Sequence, residues 1–238
     1  MTKRKILHDS GTKRIYHADS EDQLILVFND NLPDGDNEAP VRVKGKGALN
    51  NSVSSQIFEY LESYNIFTHF ISKISDKEMQ VKNLDMLPLD ILIYNGASRS
   101  LSRRYGFEEG NILSVPVIEF VYKAEELKNP LVNETHLGAL ELLTQEEIIF
   151  FNRMIAKTNA VLKSFFERRQ LCLVELSLNI GRYKENLYIG DEISPDTCQF
   201  WGMNGDQEID KGFYRRYKGK DDEAYKKIVE RVSGSIPS

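Results

Sequence analysis

The chain has 238 residues, 41% of them hydrophobic, with 31 Lys and Arg against 36 Asp and Glu, for a net charge of -5. That supplies a core for one large domain or two packed lobes, and it argues against non-specific nucleic-acid binding, which needs a basic surface. No run of about 18 apolar residues occurs, so no membrane span is expected, and Cys172 and Cys198 alone are too few for a disulfide framework or a zinc site.

The basic Met1–Lys5 is not followed by an apolar signal core, and a reducing cytoplasm is the simplest setting. Asp9-Ser10-Gly11-Thr12-Lys13 reads as a small-residue turn in which backbone N–H groups and a lysine could meet phosphate, or as a plain turn; the Walker pattern is absent. Residues 13 to 28 read as a hairpin whose second half, Gln23–Phe28, is nearly all apolar, as in a buried strand. Loop chemistry follows at 29–37. Lys44-Gly45-Lys46-Gly47 then leads into a helix from about Leu49 to Tyr64, which could hold an anion at its N-terminus or follow a linker. Strands resume at 67–71 and 78–82. His69 alternates with apolar neighbours there and reads as structural. Asn83–Pro88, ahead of the apolar strand 89–94, could line an adenine slot with backbone groups and a Met or Leu side chain.

Ser98–Gly106 is a basic, hydroxyl-rich helical turn. Its three arginines could clamp phosphate or carboxylate, or simply face solvent. A strand spans 115–122. Thr144, with Glu147 three residues on, opens the longest helix by a capping box. In the strand 171–181, Glu175, Ser177 and Asn179 share one face because strand side chains alternate. A hairpin with the strand 186–190 would set them beside Asp191. The acids of Gly190–Trp201 then stand at a strand end and in the loop after it, which suits Mg²⁺ carrying phosphate oxygens, although Ser194-Pro195-Asp196 is also ordinary turn chemistry. An amphipathic helix is expected at 221–232.

Taken in order, these segments resemble the SAICAR synthetase family (phosphoribosylaminoimidazole-succinocarboxamide synthase). The residues that carry the likeness are Lys46-Gly47 with Leu49-Asn50-Asn51, Pro88, Ser100-Leu101 with Arg104 and Gly106, Pro116 with Glu119, and Asn129-Pro130-Leu131. Asp191–Cys198 with Trp201, and Asp210-Lys211 with Phe213 and Arg215, complete the set. The resemblance implies an α+β fold of two lobes, related to ATP-grasp and kinase-like nucleotide folds. Residues 1–90 would form a mainly antiparallel lobe contributing to the ATP site, and 91–238 an α+β lobe with the metal and substrate site. It implies ATP and Mg²⁺ as cofactors and a ligase of purine synthesis. In that chemistry ATP phosphorylates the carboxylate of a carboxyaminoimidazole ribotide, and the amine of L-aspartate then displaces phosphate. The implied partners are these small molecules, with no nucleic acid and no membrane, in a homo-oligomer.

On that resemblance Asp191, Glu175 and Ser177 are expected at the reaction centre, with Asp191 and Asn179 at the metal. Lys13, Ile15, Lys82, Asp85 and Met86 are expected at the nucleotide, and Ser100, Arg104, Asp196, Lys211 and Arg215 at the substrate. The sequence also departs from the family pattern. Ser10-Gly11-Thr12-Lys13 lacks one lysine, Tyr94 and Gln199 stand for arginines, Arg99 for a glycine, Ser177 for a lysine, and Asn179 for an acid. Each charged hydrogen bond lost is worth roughly 1.5–3 kcal/mol. The departures keep open a homologue acting on a different carboxylate or nucleoside substrate, or a non-catalytic nucleotide-binding regulator.

Overall fold

The structure is a computed structural model that describes residues 5–31, 42–203, 209–210, 228–232 and 234. The N-terminal part is a five-stranded sheet with one helix. β1 (Ile6–Asp9), β2 (Lys13–His17) and β3 (Gln23–Phe28) form a meander. Helix α1 (Lys46–Ser63) follows, then the hairpin of β4 (Phe70–Lys73) and β5 (Glu78–Lys82), giving the order β1-β2-β3-β5-β4, antiparallel throughout. The expected 13–28 hairpin is present. β1 was not expected: all four of its residues are exposed at the sheet edge, so it has no buried face to betray it.

The remaining strands form a second sheet. β6 (Asp85–Met86) and β7 (Leu89–Gly96) lead to helix α2 (Arg99–Tyr105) and the long strand β8 (Ile112–Tyr122). β9 (Leu131–Val132), helix α3 (Glu134–Ala139) and helix α4 (Gln145–Glu167) come next. β10 (Leu171–Tyr183), β11 (Asn186–Gly190), β12 (Cys198–Met203) and β13 (Ile209–Asp210) complete it in the order β13-β12-β10-β7-β8-β9, with β11 and β6 paired to β10. The change of sheet falls between Lys82 and Asp85. Residues 228–232 are helical, as expected for the end of the last helix. No helix among the described residues is long and apolar enough to cross a membrane.

Two features of sequence decide how these layers pack. Helix α4 starts where Thr144 Oγ1 accepts the Glu147 N–H and the Glu147 side chain accepts the Thr144 N–H, the expected capping box. It buries Phe151, Ile155, Leu162, Phe165 and Phe166 in the same core as Ile91, Ile93, Leu176 and Leu178 of the second sheet. Helix α1 buries Val53, Ile57, Phe58 and Leu61 with Leu24, Leu26, Met79 and Val81 of the first. It begins at Lys46 rather than Leu49, with Gly45 at φ 86 ahead of it. Its first turn holds an anion of the protein's own: Gly47 N donates to Asp30 Oδ1 at 3.1 Å, and Asp30 also pairs with Lys77. A side chain at Gly47 would meet Phe28 O at 2.5 Å, so this close approach requires glycine.

The β10–β11 hairpin wedges between the sheets. Phe67–His69 was expected to open a strand of the first sheet, but β4 begins only at Phe70. The preceding backbone instead pairs with β11: Ile189 N donates to Phe67 O at 3.0 Å and His69 N to Ile189 O at 2.9 Å. On the other side β6 pairs with β10 through Met86–Gly181 and Asp85–Arg182. The end of β11, at Gly190, is thereby delivered to the junction of the two sheets.

Candidate active site

Asp191 follows β11 in the left-handed conformation at φ 61, which Asp tolerates better than most residues, and this turns the chain sharply into the loop 191–197. The loop is tied together internally. Ser194 Oγ donates to Glu192 Oε2 at 2.7 Å and accepts the Asp196 N–H at 3.1 Å, and Thr197 Oγ1 accepts the Ser194 N–H at 3.0 Å. Lys13 reaches in from β2, bonding Glu192 Oε1 at 2.9 Å and pairing with Asp191. The expected phosphate-binding lysine and the expected metal carboxylate are therefore in contact. Burial opposes the Lys13 charge, but the carboxylates of Glu192 and Asp191 outweigh it and raise its pKa.

The loop is also stapled to α1. Lys46, Asn50 and Ser54 fall at four-residue spacing, hence on one helix face, and all three are buried. Lys46 pairs with Asp196, and Asn50 Nδ2 donates to Asp196 Oδ2 at 2.8 Å. Ser54 Oγ donates to Ile193 O at 3.0 Å and accepts the Ile193 N–H at 3.2 Å. Asp196, expected at the substrate, thus faces one protein cation, Lys46, and the amide of Asn50. Burial and then the charge of Glu192 raise its pKa against the pull of Lys46. Sequence reasoning counted Glu192 only among the loop acids suited to Mg²⁺, left Asn50 and Ser54 without site roles, and read Lys46 as part of a turn that could bind an anion or be a linker. The signal that could have found the face was the polar 46/50/54 spacing.

The expected nucleotide residues line the sheet junction beside this loop. Ile15 pairs with Leu26 in the first sheet. Lys82 Nζ donates to Thr68 O at 3.1 Å and Phe70 O at 3.2 Å and lies 5.4 Å from the Tyr188 ring centre. Asp85 and Met86 are exposed, and Met86 fills the space over Gly181, where a Cβ would come within 2.9 Å of its sulfur. His69 is buried beneath these groups. Burial, then the charges of Lys13 and Lys82, push its pKa down to about 3, so it is a neutral imidazole.

On the far side β10 presents Glu175, Ser177 and Asn179 on one face as expected. Glu175 pairs in register with Tyr94 of β7 and Gln199 of β12, Ser177 with Leu92, and Asn179 with Gly190. Asn179, expected at the metal, gives its amide hydrogens to Leu89 O at 3.0 Å and Asp90 Oδ1 at 2.7 Å. Asp90 in turn pairs with Lys123 at 2.7 Å. Arg104 of α2 does not stand free: it pairs with Glu119 at 2.7 Å and donates to Tyr94 Oη at 3.0 Å. Tyr105 Oη also donates to Glu119, at 2.8 Å. Ser100 is half-buried beside Ser98, whereas Arg99 and Arg103 are exposed. Lys211 and Arg215 lie outside the described residues. Among the described residues no group of three or more His, Cys, Asp or Glu side chains is arranged to hold a metal.

Residues 7–232 match the model of the SAICAR synthetase family. The phosphoribosylaminoimidazole-succinocarboxamide synthase of Thermoanaerobacter sp. (strain X514) is 38% identical over 234 residues, 98% of this chain and 100% of that one. A SAICAR synthetase (Type-2) solved in complex with ADP superposes with a TM-score of 0.86 at 35% identity, covering 98% of this chain and 100% of that chain. The Ehrlichia chaffeensis enzyme of the same name as the Thermoanaerobacter relative superposes at 0.87 with 30% identity, again covering 98% and 100%. The likeness spans both sheets and the loop between them, and the chain belongs to the SAICAR synthetase family.

Proposed function

We propose that the chain is the ATP-dependent ligase its family resemblance implies, joining a carboxyaminoimidazole ribotide to L-aspartate with release of ADP and phosphate. The observation that carries this is the meeting of Lys13 and Asp191 at the sheet junction, in a chain that matches such enzymes end to end. The relative solved with ADP supports nucleotide use. Lys13 is a fixed positive charge for phosphate oxygens, and the loop bonds hold it there without reorganisation. Met86 and Asp85 of β6, both exposed, offer an edge for the base.

The residues fit Mg²⁺, which takes one or two carboxylates and completes its shell with phosphate and water. Asp191, its side chain 26% exposed, would hold it, and Asn179 could add only a carbonyl oxygen because its amide hydrogens are engaged. Bound there, Mg²⁺ would neutralise phosphate charge. Ser100 and Arg104 would orient the ribotide from α2, with Lys211 and Arg215 contributing from beyond the described residues. Tyr94 stands where the family pattern has an arginine, but its hydroxyl draws in Arg104, so a guanidinium still reaches this face of the sheet. Glu175 and Ser177 form the wall between the two groups of residues.

The test is turnover. Purified protein given ATP, Mg²⁺, L-aspartate and the carboxylated ribotide should release ADP and phosphate in step with product. A folded protein that turns over none of it overturns the reading. Self-association belongs to the same proposal, and a monomer by sedimentation at working concentration would remove that part.

A further inference from the structure

Asp191 and Lys13 have tasks in the proposed reaction; Glu192, next to both, has none. Its side chain is 4% exposed against 26% for Asp191, so it sits beneath the cleft rather than in it. Both of its oxygens are used: Oε1 accepts from Lys13 Nζ at 2.9 Å and Oε2 from Ser194 Oγ at 2.7 Å. Ser194 is held by the Asp196 N–H, and the backbone between Glu192 and Ser194 is clamped by Ser54 of α1. Glu192 is therefore a fixed carboxylate. Asp191 is the exchangeable partner, because it follows the end of β11 and its side chain is the more exposed of the two.

Lys13 itself is only 10% exposed and pairs with both acids. A buried ammonium stripped of its last carboxylate is strongly destabilised, far more than one that keeps a partner. If a divalent cation draws Asp191 away, Lys13 is left with whatever remains. We propose that Glu192 is a positioning residue, the standing counter-ion of Lys13, which frees Asp191 to exchange the lysine for a divalent cation. This rests on the reading of Asp191 as the carboxylate that carries that cation. Glu192 touches no substrate in this account. It acts by keeping Lys13 paired and in place while its neighbour changes partner.

The proposal separates metal-dependent from metal-independent binding, which a general structural role does not. In Glu192→Gln the shape is kept and the charge is lost. Asp191 becomes the only carboxylate on Lys13, so giving it to Mg²⁺ leaves the ammonium unpaired. The Mg²⁺-dependent gain in ADP affinity should shrink about tenfold, the scale of one charge-assisted interaction. Metal-free ADP, meeting a less compensated Lys13, should bind as well as before or better. Glu192→Asp keeps the charge one methylene farther away and should shrink the gain about threefold.

The experiment is calorimetric titration of wild type and both variants with ADP, in Mg²⁺ and in EDTA, alongside thermal unfolding. A reduced gain with undiminished metal-free binding supports the role. An unchanged gain, or equal weakening in both conditions, overturns it. Should Glu192→Gln fail to fold, the aspartate variant decides, and a wild-type gain there overturns the role. Wild type that binds no ADP in either condition removes the proposed function along with this inference. Wild type that binds normally beside an unaffected variant removes the inference alone.

Discussion

On the acidic side of the cleft the charges have built-in partners, all but Asp191 under cover: Lys13 with Asp191 and Glu192, Lys46 with Asp196. On the arginine side, Arg104 pairs with Glu119 across a partly exposed surface, while Arg99 and Arg103 face solvent. Asp191 apart, the first arrangement is preorganised and its buried charges are costly to disturb. The second is cheaper to rearrange, because water screens its arginines although Glu119 is buried. Two of the departures from the family pattern, Tyr94 and Arg99, fall on that tolerant side. Asp191–Cys198 carry the resemblance to the family, and the next departure read from that resemblance comes just after, at Gln199 in β12.

The largest expected effect breaks the rigid side. Lys46→Met removes the cation from a pair in which Lys46 is 1% and Asp196 9% exposed, leaving a buried carboxylate with Asn50 alone. Such a loss costs about 3–5 kcal/mol, to be read from urea unfolding. Arg103→Ala on the other side should stay within about 0.5 kcal/mol. Comparable losses from both would dissolve the contrast.

Next is a pH dependence, also from the rigid side. His69 is buried near Lys13 and Lys82, and its pKa falls from 6.5 to about 3 on folding. Below pH 6.5 the unfolded chain takes up a proton that the folded chain refuses. The contribution is therefore complete above 6.5 and lost as the pH falls toward 3, at about 1.4 kcal/mol per pH unit. His69→Phe, which keeps an aromatic ring against Phe58, removes that term. Between pH 7.5 and 5.5 the wild type should lose about 1.4 kcal/mol more than the variant. Parallel pH curves for the two would show that His69 does not titrate in this way.

This asymmetry also explains what could be read from sequence. The capping box at Thr144, the alternation of Glu175, Ser177 and Asn179, and the β10–β11 hairpin are local patterns, and each appears in the structure. The polar 46/50/54 face of α1 looks like a solvated helix surface until its partner loop is known, and that loop is distant in sequence. Likewise Phe67–His69 looks like a strand start, yet its partner is Ile189. Asp191 and Asp196 stood out as acids in one loop. That Lys13 and Lys46 already occupy them depends on contacts between the sheets, which no periodicity encodes.

On the tolerant side Arg104→Ala should cost less than any change at the acidic loop. It removes the cation from Glu119, which is buried, but Tyr105 Oη still donates to that carboxylate. With the Arg104 side chain 36% exposed, solvent takes up part of the loss, and about 1–2 kcal/mol is expected in urea unfolding. On activity the ordering reverses if Arg104 orients the ribotide. The KM for ribotide should then rise at least about tenfold, the scale of one charged hydrogen bond, with the KM for ATP unchanged. Equal changes in both constants would assign Arg104 to the fold alone.

The smallest effect tests whether Tyr94 and Arg104 act as one unit. Tyr94→Phe keeps the buried ring and deletes only the hydroxyl that accepts from Arg104 at 3.0 Å. Arg104 retains Glu119, so stability should fall by only about 0.5–1.5 kcal/mol. The guanidinium would then be held from one side instead of two. If the tyrosine hydroxyl is what brings Arg104 to the face of the sheet, Tyr94→Phe should raise the ribotide KM in the wild-type background and have no further effect in Arg104→Ala. Additive effects in that cycle would mean that the two residues act separately. The hydroxyl would then be no substitute for the arginine of the family pattern.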